Sequence, residues 1–189
     1  KIFDGNEYTA FGTALHSVCE NLLQVESVSD KDLTFTSEFR KELKSLKQEL
    51  NKELVVSMFE QGTKIVPELL PALNAYFGSY ETVETEEKLY ESMDDIGDYL
   101  FKGYMDFVLK TEDGKYHIID WKTCSWGWAA RKRSDKMIVY QLILYKHFFC
   151  KKHNIDPDNV ETHFALLKRT AKNNVVEFFN VTSGSKRTQ

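Results

Sequence analysis

Apolar residues in the first part of the chain recur at helical spacing. Leu15, Val18, Cys19, Leu22 and Leu23 line one side of a helix predicted over Phe11–Val25. Phe39, Leu43, Leu46, Leu50, Leu54 and Met58 continue that period through one long helical stretch from Thr36 to about Gln61, with a serine and a glutamate after Thr36 as cap signals. A further helix is expected over Ile65–Tyr80, starting near Pro67 and ending at Gly78. The pattern then changes from helical to extended. Thr85–Tyr90 reads as a strand, Met93–Gly97 as a turn, and Tyr99–Leu109 and Tyr116–Trp121 as two aromatic and β-branched runs joined by Thr111–Gly114. A helix is predicted over Ser134–Lys152, packing through Leu142, Leu144, Phe148 and Phe149, followed by a turn at Pro157 and two closing strands, Val160–Lys168 and Asn174–Val181. There is no internal repeat or low-complexity segment.

The two central runs make a hairpin, and Gly114 suits the positive-φ position of a three-residue loop. If residues 112–114 are that loop, Asp106 faces Asp120 across the strands. Period two then places Lys122 beside Asp120 on the same face. Ionised carboxylates within apolar strands need a partner, because burying an uncompensated charge costs on the order of several kcal/mol. A divalent cation is one partner: Mg²⁺ takes one or two carboxylates and completes its shell with water and phosphate oxygens. A lysine next to it can position a nucleophile and stabilise charge developing on a phosphate. The plain alternative is a surface salt bridge between Lys122 and one of the aspartates. Glu84, Glu86 and Glu87 are further carboxylates within reach of such a site, but are expected to face solvent.

The surrounding residues carry a more specific signal. Gly12-Thr13-Ala14-Leu15-His16, Gly103-Tyr104-Met105-Asp106, Asp120-Trp121-Lys122-Thr123 and Gln141-Leu142-Ile143-Leu144-Tyr145 follow one another in that order. Together they resemble the RecB-like branch of the PD-(D/E)XK nuclease superfamily, with its Gly-x-x-x-His, Gly-x-x-Asp, Asp-x-Lys-Thr and Gln-x-x-x-Tyr motifs, over roughly residues 11–147. The resemblance implies an α/β restriction-endonuclease-like core, a central mixed sheet flanked by helices, with a helical N-terminal region. It further implies Asp106 and Asp120 as metal ligands, Lys122 as the catalytic lysine, His16 as an additional ligand, and Gln141 with Tyr145 as groups that face substrate or brace the site. Trp121 departs from the tyrosine or leucine frequent at its position. Its side chain should point to the opposite face, with only its backbone carbonyl reaching the metal. A histidine on a helix is otherwise commonly a surface or core residue, and both readings of His16 stand.

At 189 residues the chain fits one domain, 1–189, with a helical part over about 11–80 and a nuclease core over about 81–182. Its 42% hydrophobic and 13% aromatic content is that of a globular protein. No apolar run approaches the ~20 residues needed to cross a bilayer and the start lacks a signal-peptide pattern, so a cytoplasmic or intracellular site of action is expected, virus-encoded proteins acting in a host cell included. The absence of a first methionine and the polar end Ser183–Gln189 fit a piece of a longer protein. Cys19, Cys124 and Cys150 are odd in number and far apart, which speaks against a disulfide framework or zinc ribbon. They also lack the grouping by which some relatives hold an iron-sulfur cluster, so none is expected.

A net charge of −4 is unusual for a nucleic-acid binder, so its distribution matters more than its sum. Arg131, Lys132 and Arg133 with Lys136, and Lys168, Arg169 and Lys172, are candidate phosphate contacts. Solvated surface charge is the alternative for each cluster. Trp126 and Trp128 flank Gly127 and could stack on unpaired bases or pack beneath the loop. The resemblance implies Mg²⁺- or Mn²⁺-dependent hydrolysis of DNA from ends or on single strands, in recombination, repair or viral DNA processing. A helicase, annealing protein or other recombination factor is a conceivable partner. The alternatives are a retired nuclease fold that binds DNA or a partner, which the intact Asp106, Asp120 and Lys122 oppose, and a metal enzyme acting on a small substrate, which the tryptophans and basic clusters oppose.

Overall fold

The computed structural model describes residues 5–24, 34–92 and 100–182. The expected turn at Met93–Gly97 and the polar end Ser183–Gln189 lie outside the described residues. The elements run α1 (Glu7–Leu23), α2 (Phe35–Ser45), α3 (Lys52–Ile65), a 3-10 turn (Val66–Glu68), α4 (Leu69–Phe77), β1 (Tyr80–Ser92), β2 (Leu100–Thr111), β3 (Tyr116–Cys124), α5 (Ala130–Arg133), α6 (Lys136–His153), a 3-10 turn (Pro157–Asn159), β4 (Val160–Lys168) and β5 (Val176–Asn180). The strands form one mixed sheet in the order β1-β2-β3-β4-β5, the restriction-endonuclease-like arrangement expected. β1, β2 and β3 pair antiparallel. The connection from β3 to β4 carries α6, the helical crossover by which adjacent strands come to run parallel.

The chain divides into two compact units. The first holds the described residues up to Ala75 together with Lys122–Gly127 and Leu166–Glu177. Asn6 caps α1 by accepting from the Thr9 N–H at 3.0 Å, and the Thr9 hydroxyl returns the contact, a reciprocal box that satisfies two orphan amide donors. The single helix expected from Thr36 to Gln61 is instead two. Thr34 and Ser37 box the start of α2, which ends at the extended Leu46, and the Asn51 side chain accepts from the Leu54 N–H at 3.0 Å to start α3. A second reason for the break is buried Glu7 on α1, whose carboxylate accepts from the Asn51 N–H at 2.8 Å and from Gln48 at 3.0 Å. Those bonds hold its pKa below the usual carboxylate range, the Asn51 amide contributing most. Phe11, Phe35, Phe39 and Phe59 fill the space between these helices edge to face and stacked, with centroids 4.8–5.8 Å apart.

The second unit holds Tyr76–Trp121, Trp128–Ala165 and the described residues from Phe178 on. Its hairpin has the predicted loop. The Gly114 N–H donates to Thr111 O at 2.9 Å with Gly114 at φ +83°, and the Thr111 N–H donates to Lys115 O at 3.0 Å. The register follows from that loop: Phe107 pairs with Ile119 and Lys110 with Tyr116. Helix α6 starts at Asp135, whose carboxylate accepts from the Met137 N–H at 3.0 Å. Its last turn is tied to β1 through Glu87, which is buried and accepts from Lys152 at 2.8 Å and His153 at 2.6 Å. Glu84 and Glu86 are exposed as expected, but Glu87 is not. A carboxylate on the inner face of β1 is retained because it binds two side chains of the last turn of α6, Lys152 and His153.

Candidate active site on the central hairpin

Period two in β3 puts Ile118 and Asp120 on one face and His117, Ile119 and Trp121 on the other. Asp120 is 2% exposed, a carboxylate in an otherwise apolar stretch of strand. Continuing the Phe107–Ile119 register by one step brings Asp106 opposite it. There the Asp106 Oδ2 accepts from the Trp121 N–H at 2.8 Å, so the carboxylate is held against the backbone one residue beyond Asp120. The Trp121 ring turns to the opposite face, as predicted, and packs against Phe107 and Phe178 with centroids 6.4 and 5.9 Å away. Across from Asp106 in the β1 register stands Glu86, whose φ of +57° is a left-handed conformation rare inside a strand.

Gly103 and Tyr145 interlock in this unit. A Cβ built on Gly103 would lie 2.8 Å from Tyr145 Cε1, so the Gly-x-x-Asp strand has room for the tyrosine ring only because residue 103 has no side chain. Tyr145 is 6% exposed, and Gln141 Nε2 donates to its hydroxyl at 2.9 Å. Burial, and then the negative charges of Asp120 and Asp106, push the Tyr145 hydroxyl above its ordinary pKa, with Gln141 acting against them. Asp106, Asp120, Gln141 and Tyr145 therefore form one electrostatically connected group. Of the two roles considered for the tyrosine, its burial fits bracing.

Two residues of the sequence-derived set lie in the first unit, where β3 continues as Lys122 and Thr123. A Cβ on Gly12 would lie 3.3 Å from Thr123 Oγ1, so the Gly-x-x-x-His helix approaches the Asp-x-Lys-Thr strand end closely at its glycine. His16 follows one turn later on α1 and is half-buried, as is Lys122.

The basic clusters are less available than their charge suggests. Arg133 Nε donates to Trp128 O at 2.8 Å, and its guanidinium lies 4.5 Å from the Phe179 ring centre. Lys132 Nζ sits 4.6 Å over the Trp128 ring. Arg131 is exposed. In the first unit, buried Lys168 pairs with Glu177 at 2.9 Å, and Arg169 donates to Gln61 and Ser125 at 3.1 Å each. These two are held by protein groups, and nothing in the spacing of Lys168 and Arg169 marks that. Lys172 is exposed. The tryptophans also separate: Trp128 is buried against Phe164 at 5.2 Å, whereas Trp126 is 69% exposed.

The residues present fit a divalent cation. Two carboxylates held at one place, one of them buried, form an oxygen donor set suited to a hard ion, and the charge of such an ion would offset their repulsion. The fold is that of the restriction-endonuclease-like class, a class of metal-dependent phosphodiester hydrolases. The sequence profile of the PD-(D/E)XK nuclease superfamily matches residues 2–184, and the chain belongs to that superfamily. No curated protein matches it. Among solved structures, one titled "Crystal structure of SSO0001" is similar at 13% identity, covering 92% of this chain and 75% of the other, with a TM-score of 0.39. Among the described residues no helix is long and apolar enough to cross a membrane.

Proposed function

We propose that this protein is a DNA nuclease acting at free ends or on single strands, with Asp106, Asp120 and Lys122 as its catalytic residues. The observation that carries the reading is the hydrogen bond from the Trp121 N–H to Asp106 Oδ2, which fixes one carboxylate beside the buried second one. Asp106, Asp120 and the Trp121 carbonyl would hold Mg²⁺ or Mn²⁺, with His16 as a further ligand. The bound ion supplies Lewis-acid polarisation of the scissile phosphate and lowers the pKa of a water nucleophile.

The chain's own groups do the rest. Trp121's amide orients Asp106 through Oδ2, and Oδ1 would be the oxygen offered to the ion. Lys122, two residues along the strand from Asp120, carries a positive charge to the same face, where it orients the attacking water and opposes negative charge building on the phosphate. Gln141 holds the Tyr145 hydroxyl, and the tyrosine ring holds β2 at Gly103, so the pair braces the aspartates. Arg131 and exposed Trp126 suit contacts to phosphate and to an unpaired base.

The test incubates the protein with end-labelled linear duplex, closed circular duplex and single-stranded DNA, with Mg²⁺, with Mn²⁺ and with chelator. Linear and single-stranded DNA should be degraded in either metal, while circles persist. Cleavage undiminished by chelator would reject the metal centre, and equal cleavage of circles would reject the end-directed reading.

A further inference from the structure

On the sheet face opposite Asp120, His117 of β3 and Glu161 and His163 of β4 converge at a cavity of about 570 Å³ whose wall includes Tyr76, Phe77 and Asn180. His117 Nδ1 and His163 Nε2 are 3.0 Å apart, and Glu161 Oε2 is 3.9 Å from each. We infer that these three side chains form a second metal site, for a divalent transition ion of the zinc class, separate from the acidic centre of the hairpin.

The geometry is specific. A point equidistant from the corners of a triangle with those sides lies about 2.1 Å from each corner, the bond length that Zn²⁺ makes to imidazole nitrogen and carboxylate oxygen. The outer ring nitrogens are already engaged. His117 Nε2 lies 3.0 Å from Thr111 Oγ1, and His163 Nδ1 lies 3.5 Å from the Tyr76 hydroxyl. The Thr111 hydroxyl gives its one proton to Asp113 Oδ1 at 2.5 Å, so it accepts from His117 Nε2–H and leaves the Nδ1 lone pair facing the cluster. A ligating histidine whose other nitrogen donates to an oxygen is the usual outer arrangement of metal sites.

The donor set favours ligation as well. Both rings are buried and lie side by side on adjacent strands, with their facing nitrogens turned to one point. The third donor is held in place: Lys115 bonds Glu161 Oε1 at 2.7 Å, and Asn180 donates to Oε2 at 3.2 Å. Two imidazoles and one carboxylate, with the cavity side open for a water, select Zn²⁺, Co²⁺ or Ni²⁺ over Mg²⁺. The ion would clip β3 to β4 behind the catalytic strand.

The experiment uses the full chain carrying Asp120→Asn, free of any histidine tag, titrated with Co²⁺ and then Zn²⁺. One Co²⁺ per chain should bind with visible ligand-field absorption, Zn²⁺ should displace it, and Zn²⁺ should raise the melting temperature. Glu161→Gln alters a side chain that is one-third exposed, keeps the fold, and should weaken Zn²⁺ binding roughly tenfold or more. His163→Gln should abolish it, with folding checked by circular dichroism. Absence of stoichiometric binding to the Asp120→Asn protein would overturn the inference. So would binding that neither Glu161→Gln nor His163→Gln changes.

Discussion

Gly103→Ala adds a single methyl group at the place where the Gly-x-x-Asp strand meets the Gln-x-x-x-Tyr helix. The new carbon would stand 2.8 Å from Tyr145 Cε1 and 3.0 Å from Phe101 Cε1, inside the ~3.5–4 Å at which carbon atoms attract. Neither ring is free to retreat. Phe101 is stacked on Phe148 with centroids 4.4 Å apart, and Tyr145 is buried with its hydroxyl bonded to Gln141. Overpacking of this kind costs about 1–3 kcal/mol. Replacing glycine within a strand returns part of that, about 0.5–1 kcal/mol of chain entropy, so the net loss should fall near 1–2 kcal/mol. For a chain of this size that is roughly 2–8 °C in melting temperature. Because displacement of Tyr145 also moves the support of Asp106 and Asp120, the rate of DNA cleavage should fall more than the folded fraction does. The assay is thermal unfolding plus metal-dependent cleavage, repeated with Tyr145→Ala in both backgrounds. Removing the ring should cost less in the Gly103→Ala background than in the wild-type one, a coupling that a double-mutant cycle measures. A Gly103→Ala protein that melts with wild type, and a Tyr145→Ala loss identical in both backgrounds, would refute the packing argument.

Other outcomes follow from the same structure. Asp120→Asn should lower cleavage roughly a hundredfold or more while the protein stays folded by circular dichroism; cleavage at the wild-type rate would remove Asp120 from the catalytic group. Arg133→Ala should destabilise the fold through loss of its Trp128 and Phe179 contacts, whereas Arg131→Ala should leave melting unchanged and weaken DNA binding with a shallower salt dependence, both read by melting and by titrations at several salt concentrations. Glu7 has its pKa lowered in the folded state, so its contribution is present above the ordinary carboxylate pKa and is lost as pH falls through the lowered one. Glu7→Gln should therefore melt below wild type at neutral pH, with the gap closing in acid; a gap independent of pH would assign the effect to packing alone.

The hairpin was legible because its information is local: a three-residue loop ending in Gly114 fixes a register, and the register fixes the pairing of Asp106 with Asp120. β4 was legible for a similar reason, as a short apolar run bounded by a proline turn and a polar loop. The break between α2 and α3 was not, since Leu46 and Leu50 continue the helical period and the stop depends on the Asn51 amide meeting Glu7, far away in sequence. Long-range partners also hid the states of Glu87, Lys168 and Arg169, which look like solvated charges until α6, β5 and α3, respectively, are placed beside them. His117 and His163 escaped notice because each is a lone histidine in an apolar strand. Only the adjacency of β3 and β4 makes them a pair. Their shared signal, a histidine inside a run otherwise apolar, was present but had no partner within the same stretch of sequence.

In the proposed phosphodiesterase centre of Asp106, Asp120 and Lys122, the lysine acts on the reaction and not on the ion. Single-turnover cleavage of end-labelled DNA by Lys122→Ala, set beside calorimetric titration of the same protein with Mn²⁺, tests it directly. Mn²⁺ binding should stay within a few-fold of wild type while the cleavage rate falls by roughly a hundredfold or more. Cleavage at the wild-type rate, or loss of the metal together with the activity, would contradict it.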